Sequence, residues 1–286
     1  MGLYILLRLG LLMARVLSFR RFCDVCAWFG RVTALLSPSR AVVAENLRAI
    51  EGAGGCSVSP GQVYESYGRY WGELLALAAR PERIERLRVE TRGLEYLIDA
   101  KARGPVCAVG GHLGNWDILA HWFSQEIPDV TFLVERLKPA RLYKLFTRLR
   151  GSLGCSTLAA EGGGRELYRH LREGGNVGMV ADRVIGAGWR AAPILGGHRR
   201  IPSAGLDLAR RAGATLLPIF IRREGIDFII HIHPPLPENE DPVAAYAHVL
   251  ESELMAAPEQ WCVLYPLHDA VADAKPALAA RKAVAS

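Results

Sequence analysis

Up to about residue 80 the apolar positions recur at helical spacing; from about residue 84 they gather into short runs separated by helical stretches. Ser37-Pro38 and Ser59-Pro60 have the order of an N-cap followed by proline at the first helical position, and open helices over Ser39–Ile50 and Gly61–Ala79. Beyond them the apolar runs predict strands near Leu87–Glu90, Val106–Val109, Val130–Val134, Ser156–Leu158, Val177–Val180, Ala192–Leu195, Thr215–Arg222 and Phe228–His233. Helices are expected near Leu94–Ala102, Ile118–Phe123, Arg141–Leu149, Gly164–Arg172, Ala204–Ala212 and Val243–Ala256. Strands alternating with helices predict an α/β fold, a mainly parallel mixed sheet flanked by helices on both faces.

The first stretch has its own character. Residues 2–19 are apolar except for Arg8 and Arg15, which lie seven apart and share one helical face. A signal peptide places its charges ahead of the apolar run, not inside it. Two arginines within a span are costly in a bilayer, so the pattern predicts a helix lying in the membrane surface with its guanidiniums reaching the phosphates. The alternative is a soluble core helix with two arginines on its wet face. A second basic amphipathic element is expected over Pro139–Arg150, where Leu142, Leu145, Phe146 and Leu149 form one stripe and Arg141, Lys144 and Arg148 another. Such a face could receive an anionic head group or an acidic carrier.

Half of the 286 residues are hydrophobic, enough for a sizeable core, and no internal repeat is visible. The reading is one domain over 1–268, with a helical membrane-associated segment over about 1–36, and a flexible Ala/Lys-rich tail over 269–286. A net charge of +6, mostly from arginine, favours acidic partners such as an anionic membrane surface or phosphate groups. No nucleic-acid module is present, so nucleic acid is not among the expected partners. Of the six cysteines only Cys23 and Cys26 form a C-x-x-C; with no second pair to complete a zinc site they read as small core residues, and the set fits a reducing cytoplasm.

The chemistry concentrates in Val106-Cys-Ala-Val-Gly-Gly-His112-Leu-Gly-Asn-Trp-Asp117. A buried strand runs into a turn built on Gly110, Gly111 and Gly114, and the turn opens a helix. His112 then stands at the carboxyl end of a strand, where open α/β sheets form their ligand crevices. Asp117, in the helix's first turn, is expected to accept a hydrogen bond from one ring nitrogen, leaving the other to take a proton from an alcohol. Other strand ends add Glu135-Arg136 and Ala181-Asp182-Arg183. The stretch Gly196–Gly205 offers a glycine turn, basic side chains and a helix N-terminus suited to an anion. His231 and His233 share a strand face and read as ordinary strand residues.

Gly-His112-Leu-Gly-Asn115-Trp-Asp117 resembles the signature of the bacterial lysophospholipid acyltransferase superfamily, and within it the lipid A biosynthesis and phosphatidylinositol mannoside acyltransferases. The likeness extends over Arg40 with Glu45-Asn46-Leu47, Tyr67-Gly-Arg-Tyr-Trp71-Gly-Glu73, Glu135-Arg-Leu-Lys-Pro, Ala181-Asp182-Arg183, and Pro202-Ser-Ala-Gly205 leading to Ala209-Arg-Arg-Ala-Gly-Ala214. The resemblance implies an enzyme on the cytoplasmic face of the inner membrane, monotopic or held by one N-terminal helix. It would move a fatty acyl group from acyl carrier protein or coenzyme A to a glycolipid hydroxyl, without cofactor or metal. By position it makes His112 the general base and Asp117 its orienting partner. Glu135 and Arg150 fall on positions that support activity or binding, and Asn115, Asp182 and Arg183 join them as candidates. Two family patterns are altered here, at Ile194-Leu195-Gly196-Gly197 and at Pro202-Ser-Ala-Gly-Leu206. The Phe-Pro-Glu-Gly motif of glycerophosphate acyltransferases is absent, which argues against a phosphatidic-acid-forming enzyme.

On this reading His112 deprotonates the acceptor hydroxyl as it attacks the thioester, and the turn's N–H groups or Arg150 stabilise the oxyanion. Two rivals remain open at this level. One is a metal-dependent hydrolase with His112, Asp117 and Asp182 as ligands; the other is a non-catalytic module that holds anionic lipid.

Overall fold

The computed structural model describes residues 2–184, 188–225 and 227–267, apart from the side chains of residues 2–5. The tail expected over 269–286 lies outside the described residues, as does the middle of the loop after Asp182. Four helices lead the chain: α1 (Gly2–Val16), α2 (Phe19–Thr33), α3 (Arg40–Gly52) and α4 (Pro60–Ala79). At the start of α4 the Gln62 side chain accepts from both the N–H and the hydroxyl of Ser59, each at 2.9 Å, which fixes that end as the Ser-Pro pair foretold. Ser37-Pro38 departs from expectation. Helix α3 starts only at Arg40, and the Ser37 hydroxyl, which accepts from the Ser39 N–H at 3.3 Å, also lies 2.5 Å from that of Tyr64 on α4.

Helices α2 and α4 pack backbone to backbone. A Cβ at Gly30 would stand 2.2 Å from the Tyr64 carbonyl oxygen, and one at Gly68 would stand 2.2 Å from that of Cys26. Side chains at these two positions would push the pair apart, and α4 with it. That matters because α4 carries Tyr67, Tyr70, Trp71 and Glu73 toward the sheet.

The remaining chain alternates as its pattern predicts. It runs through β1 (Val89–Arg92), α5 (Leu94–Arg103), β2 (Val106–Gly110), α6 (Trp116–Glu126), β3 (Val130–Val134), α7 (Ala140–Gly151), β4 (Ser156–Ala159), α8 (Gly164–Arg172) and β5 (Asn176–Val180). Then come β6 (Trp189–Ile194), β7 (Gly197–Pro202), α9 (Ala204–Arg211), β8 (Thr215–Glu224), β9 (Asp227–Ile232) and α10 (Pro242–Ala256). Seven strands form one mixed sheet in the order β1-β9-β8-β2-β5-β3-β4, parallel at every pairing except β8 with β9. The expected strand near Ala192–Leu195 exists, but it is not in this sheet. It pairs with β7 in a separate hairpin, where Leu195 and Gly196 both take positive φ, the two-residue turn that matches strand twist. The stretch read as an anion-binding glycine turn is therefore half of this hairpin.

The two faces of the sheet have separate cores. Phe123 of α6, Phe146 of α7, Leu74 of α4 and Leu7 of α1 share one with Ala108 and Ile219. Leu167 of α8, Leu206 of α9 and Tyr246 of α10 share the other with Cys107 and Val109. Strand β2, buried on both faces, sits at the centre of the molecule.

Candidate active site

Strands β2 and β5 are neighbours, with Gly110 opposite Val180. After β2 the chain turns into α6 on one face; after β5 it passes to the β6–β7 hairpin and α9 on the other. Adjacent parallel strands whose connections leave on opposite faces open a crevice at their carboxyl ends. His112 follows Gly110 by two residues and Asp182 follows Val180 by two, so sheet register brings this pair together across 70 residues of sequence.

The His112 Nδ1 atom lies 2.7 Å from Asp182 Oδ1. Asp182 is held from behind: its Oδ2 accepts from the His112 backbone N–H at 2.7 Å and from Trp261 Nε1 at 2.9 Å. Burial alone would raise the pKa of this carboxyl, yet the imidazole charge and these three hydrogen bonds bring it below the usual range. The turn that carries His112 is itself clamped. Cys262 N–H donates to the His112 carbonyl at 2.8 Å, and Gly114 N–H donates to the Gln260 carbonyl at 3.0 Å. Gly114 has φ of 60°, and a Cβ there would stand 2.2 Å from the Ile221 carbonyl oxygen, so only glycine serves.

The expected bond from His112 to Asp117 is not the one the fold makes. Asp117 sits in the first turn of α6 as foretold, but its Oδ2 accepts from the Tyr70 hydroxyl at 2.6 Å and its Oδ1 from Arg150 Nε at 2.6 Å. Both oxygens of this carboxylate are thus engaged, one by a buried phenol and one by a guanidinium. Burial, reinforced by the Asp117 charge, drives the Tyr70 hydroxyl well above its ordinary pKa. Asp117 reaches the imidazole only through rings: Tyr70 stacks on Trp116 at 4.0 Å, and Trp116 meets His112 edge to face at 4.9 Å.

His112, Asp117, Glu135, Arg150 and Arg183 all line one cavity of about 730 Å³ at the carboxyl edge of the sheet, a size typical of ligand sites. The Arg183 guanidinium pairs with Glu135 at 3.0 Å and lies 3.9 Å over the Tyr265 ring. Two candidates stand elsewhere. Asp182 is behind the imidazole, not on the wall. Asn115 is fully buried as the cap of α6, accepting from Asp117 and Ile118 N–H while its Nδ2 donates to Glu73 at 2.7 Å. Glu73 pairs in turn with Arg223 at 3.0 Å, a buried ion pair bracing the turn from the α4 side.

Sequence reasoning missed Trp261, Tyr70, Glu73 and Arg223. Tyr70 and Glu73 were within the quoted Tyr67–Glu73 stretch; Trp261 and Arg223 carried no local signal. The metal-hydrolase rival needs His112, Asp117 and Asp182 to converge. Among the described residues no three His, Cys, Asp or Glu side chains are grouped to hold a metal, and the two aspartates serve different partners. His231 and His233 lie off the cavity wall, 3.8 and 2.9 Å from the buried carboxylate of Glu253, with Arg222 at 3.3 Å. They form a structural ion cluster between β8, β9 and α10, more than the plain strand face expected.

Residues 2–268 match the family described as bacterial lipid A biosynthesis acyltransferase. The chain belongs to that family. It is therefore an acyltransferase, and the resemblance read from the His112 motif was sound. A protein named phosphatidylinositol mannoside acyltransferase from Mycobacterium tuberculosis (strain CDC 1551 / Oshkosh) is 33% identical over 213 residues, 71% of this chain and 67% of its own length. A protein of the same name from Mycolicibacterium smegmatis is 30% identical over 211 residues, 70% of this chain and 69% of its own. In this lipid A acyltransferase family member the His112 motif thus sits at the switch point of an α/β sheet, over a largely apolar cavity.

Proposed function

We propose that the protein transfers a fatty acyl group from a thioester to a hydroxyl of a membrane glycolipid of the phosphatidylinositol mannoside class. The observation that carries this reading is the His112 imidazole on the cavity wall, tied at Nδ1 to buried Asp182. With that nitrogen engaged, Nε2 is the atom that removes the acceptor proton as the alcohol oxygen attacks the thioester carbonyl. Asp182 holds the tautomer and stabilises the imidazolium that forms. The thiolate leaves, and the imidazolium returns its proton to it. Of the turn's N–H groups, those of His112 and Gly114 are already committed to Asp182 and Gln260. We assign the developing oxyanion to Arg150, which lines the cavity and is kept protonated by Asp117 despite burial. Asp117 acts on Arg150 and Tyr70, not on the base.

We place the enzyme on a membrane surface, with α1 and α2 as its seat. The support is the row of exposed apolar side chains they carry, taken up below. Among the described residues no helix is long and apolar enough to cross a membrane.

Purified protein supplied with phosphatidylinositol mannoside and with acyl-coenzyme A or acyl carrier protein thioester tests the reading and names the donor. His112→Ala is expected to keep the fold and lose about 10²–10⁴-fold in turnover. Near-normal turnover in that variant would end the proposal. Glycolipid binding without transfer from either thioester would leave the lipid-holding module instead.

A further inference from the structure

Strands β2, β5, β3 and β4 lie side by side and run in the same direction, so their carboxyl ends form a row. Just past those ends the chain carries His112, Arg183, Glu135 and Glu161 in turn, and all four line the cavity. The two acids arrive together because Val134 is opposite Ala159, which sets Glu135 one residue and Glu161 two residues beyond the same rung.

Glu161 takes no part in the proton transfer at His112. Its carboxylate is fixed from one side, where the Arg136 backbone N–H donates to its two oxygens at 3.0 and 3.3 Å. Glu135 gives one oxygen to Arg183 at 3.0 Å. Two carboxylates offer about eight acceptor positions, and these bonds occupy few of them. A ligand rich in O–H donors fits such an edge. A phosphate brings like charge to it, and a thioester brings no donor. Tyr265, 52% exposed, adds an aromatic ring at the same rim, below the Arg183 guanidinium. Acceptor oxygens, a guanidinium and an aromatic ring together suit a polyhydroxylated ring.

Neighbouring strands lie about 4.8 Å apart, so β4 ends three spacings, roughly 14 Å, from β2 and its imidazole. A hexose ring is about as wide as one spacing. The sugar whose hydroxyl meets His112 therefore fills the places at Arg183 and Glu135. Hydroxyls that meet Glu161 sit on the next ring along.

Resting on the proposed transfer to a phosphatidylinositol mannoside, we infer that the ends of β3 and β4 hold a second sugar ring of the acceptor, and that Glu161 selects for it by accepting from its hydroxyls. Glu161 stands away from the reacting atoms, so its contribution is to acceptor affinity. An acceptor with one ring does not reach it.

The test is calorimetric titration of the full chain with two soluble ligands. One is the headgroup released from phosphatidylinositol mannoside by deacylation, which joins mannose to inositol; the other is methyl mannoside, a single ring. Glu161→Gln keeps a carbonyl oxygen for the Arg136 N–H and is expected to bind the headgroup on the order of tenfold more weakly, the size of one hydrogen bond to a charged group. Methyl mannoside should bind parent and variant alike. Glu161→Asp keeps the charge but draws it back by one methylene. It should also weaken headgroup binding, and it decides the matter alone should Glu161→Gln not fold. Glu166→Gln removes an exposed acid of α8 that is off the cavity wall, and should match the parent, which separates contact from net charge. Equal headgroup affinity in the parent and both Glu161 variants overturns the inference. So does an equal loss for methyl mannoside, which would put Glu161 at the first ring. Because binding is read without turnover, a headgroup held through Glu161 by a protein that transfers no acyl group removes the acyltransfer reading and keeps the sugar site.

Discussion

Asp182 is the residue on which the local argument turns, and its charge state has a readable consequence. Its folded pKa lies below the ordinary carboxylate value of about 4. The stability it contributes is therefore complete above that value and is lost as pH falls through the lower folded one. Glu253, also depressed despite burial, by His233 and Arg222, behaves in the same direction. Asp182→Asn should thus melt below the parent at neutral pH, with the gap narrowing as pH falls below about 4. Thermal melts of both proteins across that range check it, and a gap that widens with acid would refute the assignment. In catalysis the same substitution leaves the imidazole in place and removes control of its tautomer. The expected loss is roughly 10³–10⁴-fold in kcat with KM little changed. Asp117→Asn disturbs Arg150 and Tyr70 instead, so its steady-state signature should include the proposed oxyanion partner, Arg150; equal effects on a kcat pH profile from both variants would argue against separate roles.

At the level of elements, what braces the turn between β2 and α6 is backbone contact and one buried ion pair. Gly114→Ala would force a positive φ worth about 1–2 kcal/mol and drive a methyl into the Ile221 carbonyl of β8. The Glu73→Ala change leaves Arg223 buried and unpaired beside Asn115, at a cost of about 3–5 kcal/mol. Chemical denaturation of both variants measures this, and losses below 1 kcal/mol would mean the brace is not what fixes the turn. The same elements mark what the amino-acid pattern carried. Each strand of the main sheet was legible as an apolar run, and the helix after His112 was legible from its glycines, because these signals are local. The order of strands was not. Asp182 stands beside His112 only because β5 inserts between β2 and β3, and no periodicity encodes which strand lies next to which. With that order hidden, the nearest acid in sequence, Asp117, was taken for the partner. The β6–β7 hairpin was half seen for a similar reason: glycines at 196 and 197 marked a turn, but not what the turn joined.

Across the whole molecule the active crevice opens at one edge of the sheet, while α1 and α2 form an outer layer packed on α4 through Leu7, Ala14 and Phe22. The sides of these helices turned away from the core carry many large apolar side chains, interrupted on α2 by exposed Arg20, Arg21, Asp24 and Arg31. Leu6, Leu9, Met13 and Val16 recur at helical spacing on α1, and Trp28, Phe29 and Val32 of α2 and Leu35 and Leu36 beyond it are also exposed, Val16 86% and Leu36 89%. A solvated protein rarely exposes so many large apolar side chains, and arginines 15, 20 and 21 are exposed on the same helices, a composition that supports the proposed seat in an anionic interface. Arginine side chains near such a surface contribute about 1 kcal/mol each, and a buried large apolar side chain about 1.5–3 kcal/mol. Replacing Leu12 and Trp28 together by glutamate therefore removes roughly 3 kcal/mol or more of partition energy, about 100-fold in binding to vesicles of anionic phospholipid. Neither residue lines the cavity or enters a core cluster, so the melting temperature should stay near that of the parent. Co-sedimentation with vesicles at low and moderate salt separates the contributions. Salt weakens the arginine part, while the glutamate pair abolishes the apolar part at either ionic strength. Equal sedimentation of parent and variant would remove α1 and α2 as the proposed membrane seat, and an acceptor held in a membrane would then have to reach His112 from another side.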